Sequence, residues 1–150
     1  MNRCTECGGH VVAGPQQVEH PIGERMFVGT VDGWSCSSCG EIYYAANGLE
    51  ETESLIASWL ATHGISSAAE LKFMRKAAGI KAVDLAKWLD VTPETVSHWE
   101  TGKHPPDVVT RATIARLVLE ALRGESSTRT LLKAQEQPNT EQTVRLIPAA

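Results

Sequence analysis

The four cysteines of this 150-residue chain form two Cys-x-x-Cys pairs. Cys4 and Cys7 make the first pair, Cys36 and Cys39 make the second, and a glycine follows each pair. Such a knuckle turns two thiolates toward one ion, and the glycine lets the backbone turn tightly around the sulfurs. Two knuckles therefore predict a tetrahedral site that binds one Zn²⁺ per chain.

This zinc site is expected to be structural, because four protein ligands leave no open position for water or substrate. Chelation should then unfold the first 46 residues, which are too few to bury a large core. Two disulfides and a thioredoxin-like redox pair are the competing interpretations, and the duplicated knuckles favour metal over both. His10 is expected to be a strand or surface residue rather than a further ligand.

A second group of residues, between positions 79 and 103, has the spacing of two short helices joined by a tight turn. The apolar residues expected to face the core are Leu85, Ala86, Leu89, Val91, Val96 and Trp99. Together with a Trp-Glu-x-Gly-Lys ending that precedes a proline, this spacing resembles the Xre/Cro-type helix-turn-helix family over about residues 67–123. Asp90 stands in the turn where the family usually has glycine, and aspartate tolerates a left-handed backbone better than most residues.

The resemblance implies that the helix beginning at Pro93 enters the major groove of DNA. Glu94 is placed to accept a hydrogen bond from cytosine, and His98 to donate one to guanine. Short polar side chains and lysines around this helix are placed for bases or phosphates. The alternative is a helix pair that serves packing only. The predicted DNA-binding residues are Lys81, Thr92, Glu94, Thr95, Ser97, His98, Lys103 and His104.

The last predicted helix of this domain carries two apolar stripes. One stripe is expected to face the core and contains Ile114, Leu117, Val118, Ala121 and Leu122. The second stripe is the predicted homodimer interface, with burial in the chain's own core as the alternative: Val108, Ala112, Ala115 and Leu119.

The strands and helices expected to position these residues make up a predicted α+β fold. Residues 1–46 have no helical period and form the predicted zinc-binding β module. Short strands are expected around His10–Ala13, Arg25–Val31 and Glu41–Ala45, interrupted at Gly14-Pro15 and Asp32-Gly33. The 28 residues between the knuckles leave room for a β-hairpin.

The remainder of the chain predicts helices and a tail. Residues 47–66 form a connecting helix, and an all-α helix-turn-helix domain follows over residues 67–123. The connecting helix is expected to place Leu55, Ile56, Trp59 and Leu60 on one face. Ser67 and Glu70 predict a capping box at the start of the domain. The domain's helices are expected at about 67–78, 82–89, 93–101 and 107–123, and residues 124–150 predict a flexible, aperiodic tail.

The charge is distributed unevenly along the chain. The net charge of the whole chain is −4. Residues 1–65 carry a net −6, residues 66–123 a net +2 and residues 124–150 a net charge of zero. An acidic first half suits a basic protein partner, and a mildly basic second half suits a polyanion. We expect a cytoplasmic protein with no membrane partner, because no run of 18 apolar residues and no signal-peptide core occurs.

The order of the two modules is more specific than either one alone. A two-knuckle zinc module, a connecting helix and an Xre-type domain resemble the MqsA (YgiT-type zinc finger) antitoxin family over residues 1–123. The resemblance implies a dimer that binds operator DNA through its C-terminal domain and a small basic ribonuclease toxin through its zinc-bearing half. At Glu94 and His98 the family usually has Asn and Arg, so the operator sequence does not carry over.

Two other functional classes compete with a repressor that acts as an antitoxin. The first is a stand-alone Xre-type transcriptional regulator with a structural zinc module and no toxin partner. The second is an enzyme, which the sequence does not favour. The metal site is closed, and no Ser/His/Asp or paired-carboxylate spacing is present.

Overall fold

A three-stranded antiparallel sheet precedes six helices in the computed structural model, which describes residues 1–146 and Pro148. This order confirms the predicted α+β fold. None of the helices in that part of the chain has the length and apolarity that crossing a bilayer requires. The elements are β1 Val11–Ile22, β2 Arg25–Cys36, β3 Ile42–Tyr44, α1 Gly48–His63, α2 Ala68–Ala77, α3 Ala82–Trp88, α4 Pro93–Thr101, α5 Val108–Leu122 and α6 Ser127–Glu136.

The β1–β2 hairpin is much longer than the sequence predicts. Its strands pair without interruption from Val11 opposite Cys36 to Ile22 opposite Arg25. The prediction of breaks at Gly14-Pro15 and Asp32-Gly33 is wrong, because these two dipeptides lie opposite each other in the ladder. Proline is tolerated there since β1 is an edge strand of the sheet. Strands of 12 residues make the hairpin about 40 Å long.

The tip of the hairpin is part of the helical core. Ile22 is buried in the same cluster as Leu60 of α1, Leu71 of α2 and Val118 of α5. Near the tip, the ring of His20 meets the ring of Phe73 edge to face at 4.9 Å. The zinc-binding β module expected from the sequence is therefore not separate from the helical domain, and one hydrophobic core joins them.

Helix α1 buries a narrower face than the sequence predicts. Ile56 and Leu60 are buried as expected, together with Ala57. Leu55, in contrast, is 70% exposed and Trp59 is 41% exposed. The buried face follows Thr52, Ile56 and Leu60 at four-residue intervals, which turns Leu55 toward solvent.

The start of α2 differs from the predicted capping box in one detail. The Ser67 hydroxyl accepts the amide of Glu70 at 3.2 Å, as expected of an N-cap. The Glu70 carboxylate, however, accepts the backbone amide and the hydroxyl of Ser66 instead of the amide of Ser67. Glu70 is fully buried in this position.

The sequence predicts an aperiodic tail from residue 124, whereas residues 127–136 form helix α6. Three contacts hold α6 against the domain. The Thr128 amide and hydroxyl donate to the buried carboxylate of Glu120 on α5. The Arg129 guanidinium stacks over the Trp88 ring of α3 at 4.7 Å, and Leu132 packs against the core. Residues 147, 149 and 150 of the predicted tail lie outside the described residues.

Candidate metal centre and nucleic-acid interface

The two cysteine pairs meet at the base of the hairpin, about 40 Å from its tip. The Sγ atoms of Cys4 and Cys39 are 3.6 Å apart, and those of Cys7 and Cys36 are 3.5 Å apart. All four Sγ atoms lie within 4.8 Å of one another. A tetrahedral ion with metal–sulfur bonds of about 2.3 Å would set its ligands about 3.8 Å apart. The four predicted ligands therefore have the arrangement of a metal site.

The local backbone of each knuckle explains how the sulfurs converge. Gly8 and Gly40 follow the two knuckles with φ of 72° and 78°, a left-handed conformation that side chains other than glycine's disfavour. The amides of Gly9 and Ser38 donate to the Sγ atoms of Cys7 and Cys36, each at 3.4 Å. Hydrogen bonds of this kind favour the thiolate form that metal binding needs.

Tyr43 is a partner of the cysteines that the sequence did not reveal. Its hydroxyl lies 3.2 Å from Sγ of Cys4, and this contact lowers the pKa of Cys4 to about 6. A backbone hydrogen bond with Glu41 lowers the pKa of Cys39, but the neighbouring Cys7 and Cys36 outweigh it and raise that pKa to about 12. Four such close sulfurs do not all ionise without a cation among them, so the donor set fits a divalent metal ion.

The surroundings of the cluster favour a structural ion. Cys4 and Cys36 are buried with Val11, and Trp34 and Tyr43 pack against them. Four sulfurs complete a tetrahedral coordination sphere, which leaves no position for a substrate. His10 lies outside this cluster, and its carbonyl accepts the amide and the hydroxyl of Ser37.

The predicted helix-turn-helix consists of α3, a short turn and α4. Leu85, Ala86, Val96 and Trp99 are buried, as predicted. Asp90 has a φ of 53° and is the only non-glycine residue with positive φ in the described part of the chain. The left-handed turn predicted at this position is confirmed.

The start of α4 is organised by two threonines. The Thr92 hydroxyl accepts the amide of Thr95 at 3.2 Å and lies 2.9 Å from its hydroxyl. Thr92 thus caps the helix, and Pro93 occupies a first-turn position that needs no amide proton. Pro93 has no amide proton and the Thr95 amide is bonded to Thr92, so the Glu94 amide is the first-turn donor that could meet a phosphate.

The other predicted DNA-binding residues lie on the surface around α4. Glu94 and Ser97 are exposed on this helix, and His98 retains 25% exposure of its side chain. The His98 Nε2 atom lies 3.6 Å from Oε1 of Glu94, and its ring meets the His104 ring at 5.4 Å. The exposed cationic and imidazole side chains at the two ends of the motif are Lys81, Lys103 and His104.

A buried ion pair that the sequence did not reveal fixes α4 to α2. The Arg75 guanidinium donates to both carboxylate oxygens of Glu100, and its Nη2 atom lies 3.1 Å from Oε2. Arg75 also donates to the Ile80 carbonyl at 2.8 Å. Both side chains are less than 10% exposed. This pair positions α4 against α2, and the Glu100 position within the Trp-Glu motif was its only signal in the sequence.

The predicted dimer stripe on α5 is divided in the structure. Val108 is 69% exposed and Ala112 is exposed. Ala115 is half-buried against the core, and Leu119 is half-buried beside Leu55 of α1. Only the first half of the stripe is therefore freely accessible, and Val109 next to it is 74% exposed.

An apolar groove lies between β2 and α1, and we refer to it as the β2–α1 groove. Its most exposed residues are Met26, Val28, Leu55 and Trp59, with exposures between 41% and 70%. The Arg25 guanidinium lies 5.2 Å from the ring centroids of both Phe27 and Trp59 at one end. Several exposed apolar side chains in one groove are typical of a protein-binding surface.

The comparison with protein families supports the helix-turn-helix. A family model described as a helix-turn-helix domain matches residues 68–123, which cover α2 to α5. The match spans just over a third of the chain and does not include the cysteine cluster or α6. No curated protein matches the chain. Residues 68–123 are thus a helix-turn-helix domain of the kind that DNA-binding regulators use.

Proposed function

We propose that this protein is a transcriptional repressor that binds operator DNA as a dimer and serves as the antitoxin of a type II toxin–antitoxin module. The single observation that carries DNA binding is the surface of α4. Val96 and Trp99 hold this helix in the core, while Glu94, Ser97 and part of His98 remain exposed. In this proposal the Glu94 amide at its start meets a phosphate while these side chains meet base edges.

The cysteine cluster binds one Zn²⁺ in this proposal, through Cys4, Cys7, Cys36 and Cys39. Zinc bound to four thiolates would supply folding free energy and no catalysis. The protein is accordingly proposed to be a cytoplasmic regulator and not an enzyme. Metal analysis of the purified chain, with an expected content of one zinc per chain, tests this assignment.

The toxin is proposed to bind the acidic first half of the chain at the β2–α1 groove. The groove offers exposed apolar side chains, and residues 1–65 carry a net charge of −6. Arg25 is the charged residue among those that line the groove, so the charge complementarity to a small basic protein, the class of toxin implied by the sequence resemblance, rests on the acids elsewhere in residues 1–65.

The dimer is proposed to form through the exposed start of α5. Val108 and Ala112 of the predicted stripe are accessible there, and the adjacent Val109 extends the apolar surface. Two copies related by a twofold axis would place two α4 helices on successive major grooves.

The experiment that tests the proposal is co-expression with the product of the adjacent gene, followed by purification and a gel shift on the shared promoter. Deletion of residues 1–65 is unsuitable, because it would remove Ile22, Ile56 and Leu60 from the common core. The better variants are Val28→Glu and Leu55→Glu in the groove, where both side chains are more than 60% exposed. Val12→Glu on β1, at 52% exposure, is the matched control.

We expect both groove variants to lose the co-purifying partner while the control and the wild type retain it. Retention of the partner by both groove variants would refute the docking site. A neighbouring gene for a basic protein of roughly domain size supports the antitoxin, whereas a neighbouring metabolic operon favours a stand-alone regulator. Failure of the wild type to shift any promoter fragment would refute the repressor itself.

A further inference from the structure

Helix α6 lies outside the matched helix-turn-helix domain but is docked on it. Thr128 is bound to Glu120 of α5, and Arg129 stacks on Trp88 of α3. Beyond these contacts α6 continues along α3. Lys133 and Glu136 line the same cleft as Asp84 and Lys87 of α3. The last turns of α6 are therefore directed toward the first turns of α3.

The side of α3 that faces α6 is the side that begins at Lys81. Asp84 and Trp88 lie three and seven residues after Lys81, so the three positions follow one helical face. In a helix-turn-helix this first helix of the pair crosses the DNA backbone. A helix that lies along this face is thus placed beside the phosphates that α3 approaches.

The cleft between α3 and α6 is rich in cations. Lys87, Arg129 and Lys133 line it and are exposed. In the part of the chain that the structure describes, none of the three has a carboxylate oxygen within 4.0 Å of its side-chain nitrogens. Asp84 and Glu136 also line the cleft, so the three cations leave a net charge of +1 there. Lys81 stands at the start of α3, three residues before Asp84. Cations not engaged by acids remain available for phosphate.

We propose that α6 extends the DNA interface, with Lys87 and Lys133 contacting the phosphate backbone next to the segment that Lys81 contacts. This inference rests on the proposed function, because it requires that α3 and α4 dock on duplex DNA. It gives the segment after the matched domain a role in affinity that carries no sequence information.

The test measures the salt dependence of binding by the full-length protein to a 30-bp duplex of arbitrary sequence. The variants are Lys87→Gln, Lys133→Gln and the double variant. These side chains are exposed and outside the core, so the variants are expected to fold, and circular dichroism checks this. Arg123→Gln is the matched control, because Arg123 lies beside Asn47 and Glu50 on the α1 side of the domain.

Each lost phosphate contact should reduce the slope of log K against log salt by about 0.9 per bound chain. When the salt concentration rises from about 50 to 200 mM, the factor by which affinity falls should therefore be roughly 3.5-fold smaller for each contact removed. We expect a reduction in both single variants, about twice as large in the double variant, and none in the control. Lys133→Gln with the wild-type slope overturns the role of α6, even if Lys87→Gln lowers the slope, because Lys87 belongs to α3. A wild type that does not bind the duplex overturns the proposed function as well.

Discussion

Arg25 of the hairpin and Glu70 of α2 form an ion pair across the junction of the sheet and the helical domain, with 2.8 Å between Nη1 and Oε1. The Glu70 side chain is completely buried, and the Arg25 side chain is 41% exposed. Arg25 also donates to the Ser66 hydroxyl, and its guanidinium stacks on Phe27 and Trp59. One side chain thus connects the β2–α1 groove with the start of the helix-turn-helix domain.

The first prediction follows from this ion pair. Arg25→Met removes the cation but keeps an apolar stem, and should lower the free energy of unfolding by about 1–3 kcal/mol because the Glu70 carboxylate stays buried. Urea unfolding of Arg25→Met, Glu70→Gln and the double variant measures the coupling. Lys72→Met on the exposed side of α2 is the control, with an expected change within about 0.5 kcal/mol. Strictly additive effects of the two single substitutions would contradict the pair.

The second prediction concerns the clamp between α2 and α4. Glu100→Gln leaves the buried Arg75 guanidinium without its counter-charge, which should cost about 3–5 kcal/mol of stability. Glu94→Gln on the same helix, where the side chain is 78% exposed, is the control and should change stability by less than about 0.5 kcal/mol. Chemical denaturation of both variants provides the comparison. Similar stabilities for the two would show that the clamp contributes nothing to the fold.

The sequence predicted the parts of this molecule that depend on local patterns. The four cysteines, the left-handed Asp90 and the start of α4 at Pro93 follow from motif spacing and turn chemistry. The helices of the domain begin and end within one residue of the predicted bounds. Each has an apolar period, and Ser67, Thr92 and Asp107 cap three of the four.

The features that the sequence did not predict depend on contacts between distant residues. In the sequence Ile22 has the pattern of an ordinary strand residue. Its burial follows from the packing of the hairpin tip against the helical core. Arg75 and Glu100 are 25 residues apart, and their pairing leaves no periodic signal. Helix α6 is polar on average, with Leu131, Leu132 and Ala134 as its apolar residues, and polar contacts from Thr128 and Arg129 anchor it. Its sequence therefore predicted a tail.

The third prediction is that metal removal destabilises the whole chain. A chelator should lower the melting temperature of the helical far-UV signal, because the hairpin with the four cysteines at its base contributes Ile22 to the helical core and Arg25 to its edge. Thermal unfolding with and without chelator is the measurement. Cys36→Ala should be insensitive to the chelator, since it already lacks one ligand. A helical signal that melts at the same temperature with and without chelator would mean that the two parts unfold independently.

The fourth prediction concerns the pH dependence of α6 docking. Burial alone would raise the pKa of Glu120, but hydrogen bonds from Thr128 and the charge of Arg116 outweigh it and hold the pKa below the ordinary 4.5. A carboxyl group with a lowered pKa stabilises the fold fully above its ordinary pKa, and this stabilisation is lost as the pH falls through the folded-state value. Hydrogen exchange of the α6 amides should therefore accelerate below about pH 4.5 relative to those of α2.

Two variants check the cause of that pH dependence. In Glu120→Gln, hydrogen exchange of the α6 amides relative to those of α2 should be the same at neutral and acidic pH. This variant has no carboxyl group to protonate at the site. Thr128→Val removes one of the donors and should destabilise α6 by about 1 kcal/mol at neutral pH. A pH profile unchanged in Glu120→Gln would assign the effect to another group.

The fifth prediction separates base contacts from backbone contacts in the proposed repressor. His98 lies on the exposed side of α4 between Glu94 and His104, whereas Lys103 follows the helix on the surface. His98→Ala should therefore reduce discrimination between the operator and a mismatched duplex by about 1–3 kcal/mol. Lys103→Ala should instead weaken binding to both duplexes equally and lower the salt slope by about 1. Gel shifts of both variants on the two duplexes measure this difference. If both variants lost the same affinity on every duplex, His98 would have no part in reading bases and its place on α4 would be structural.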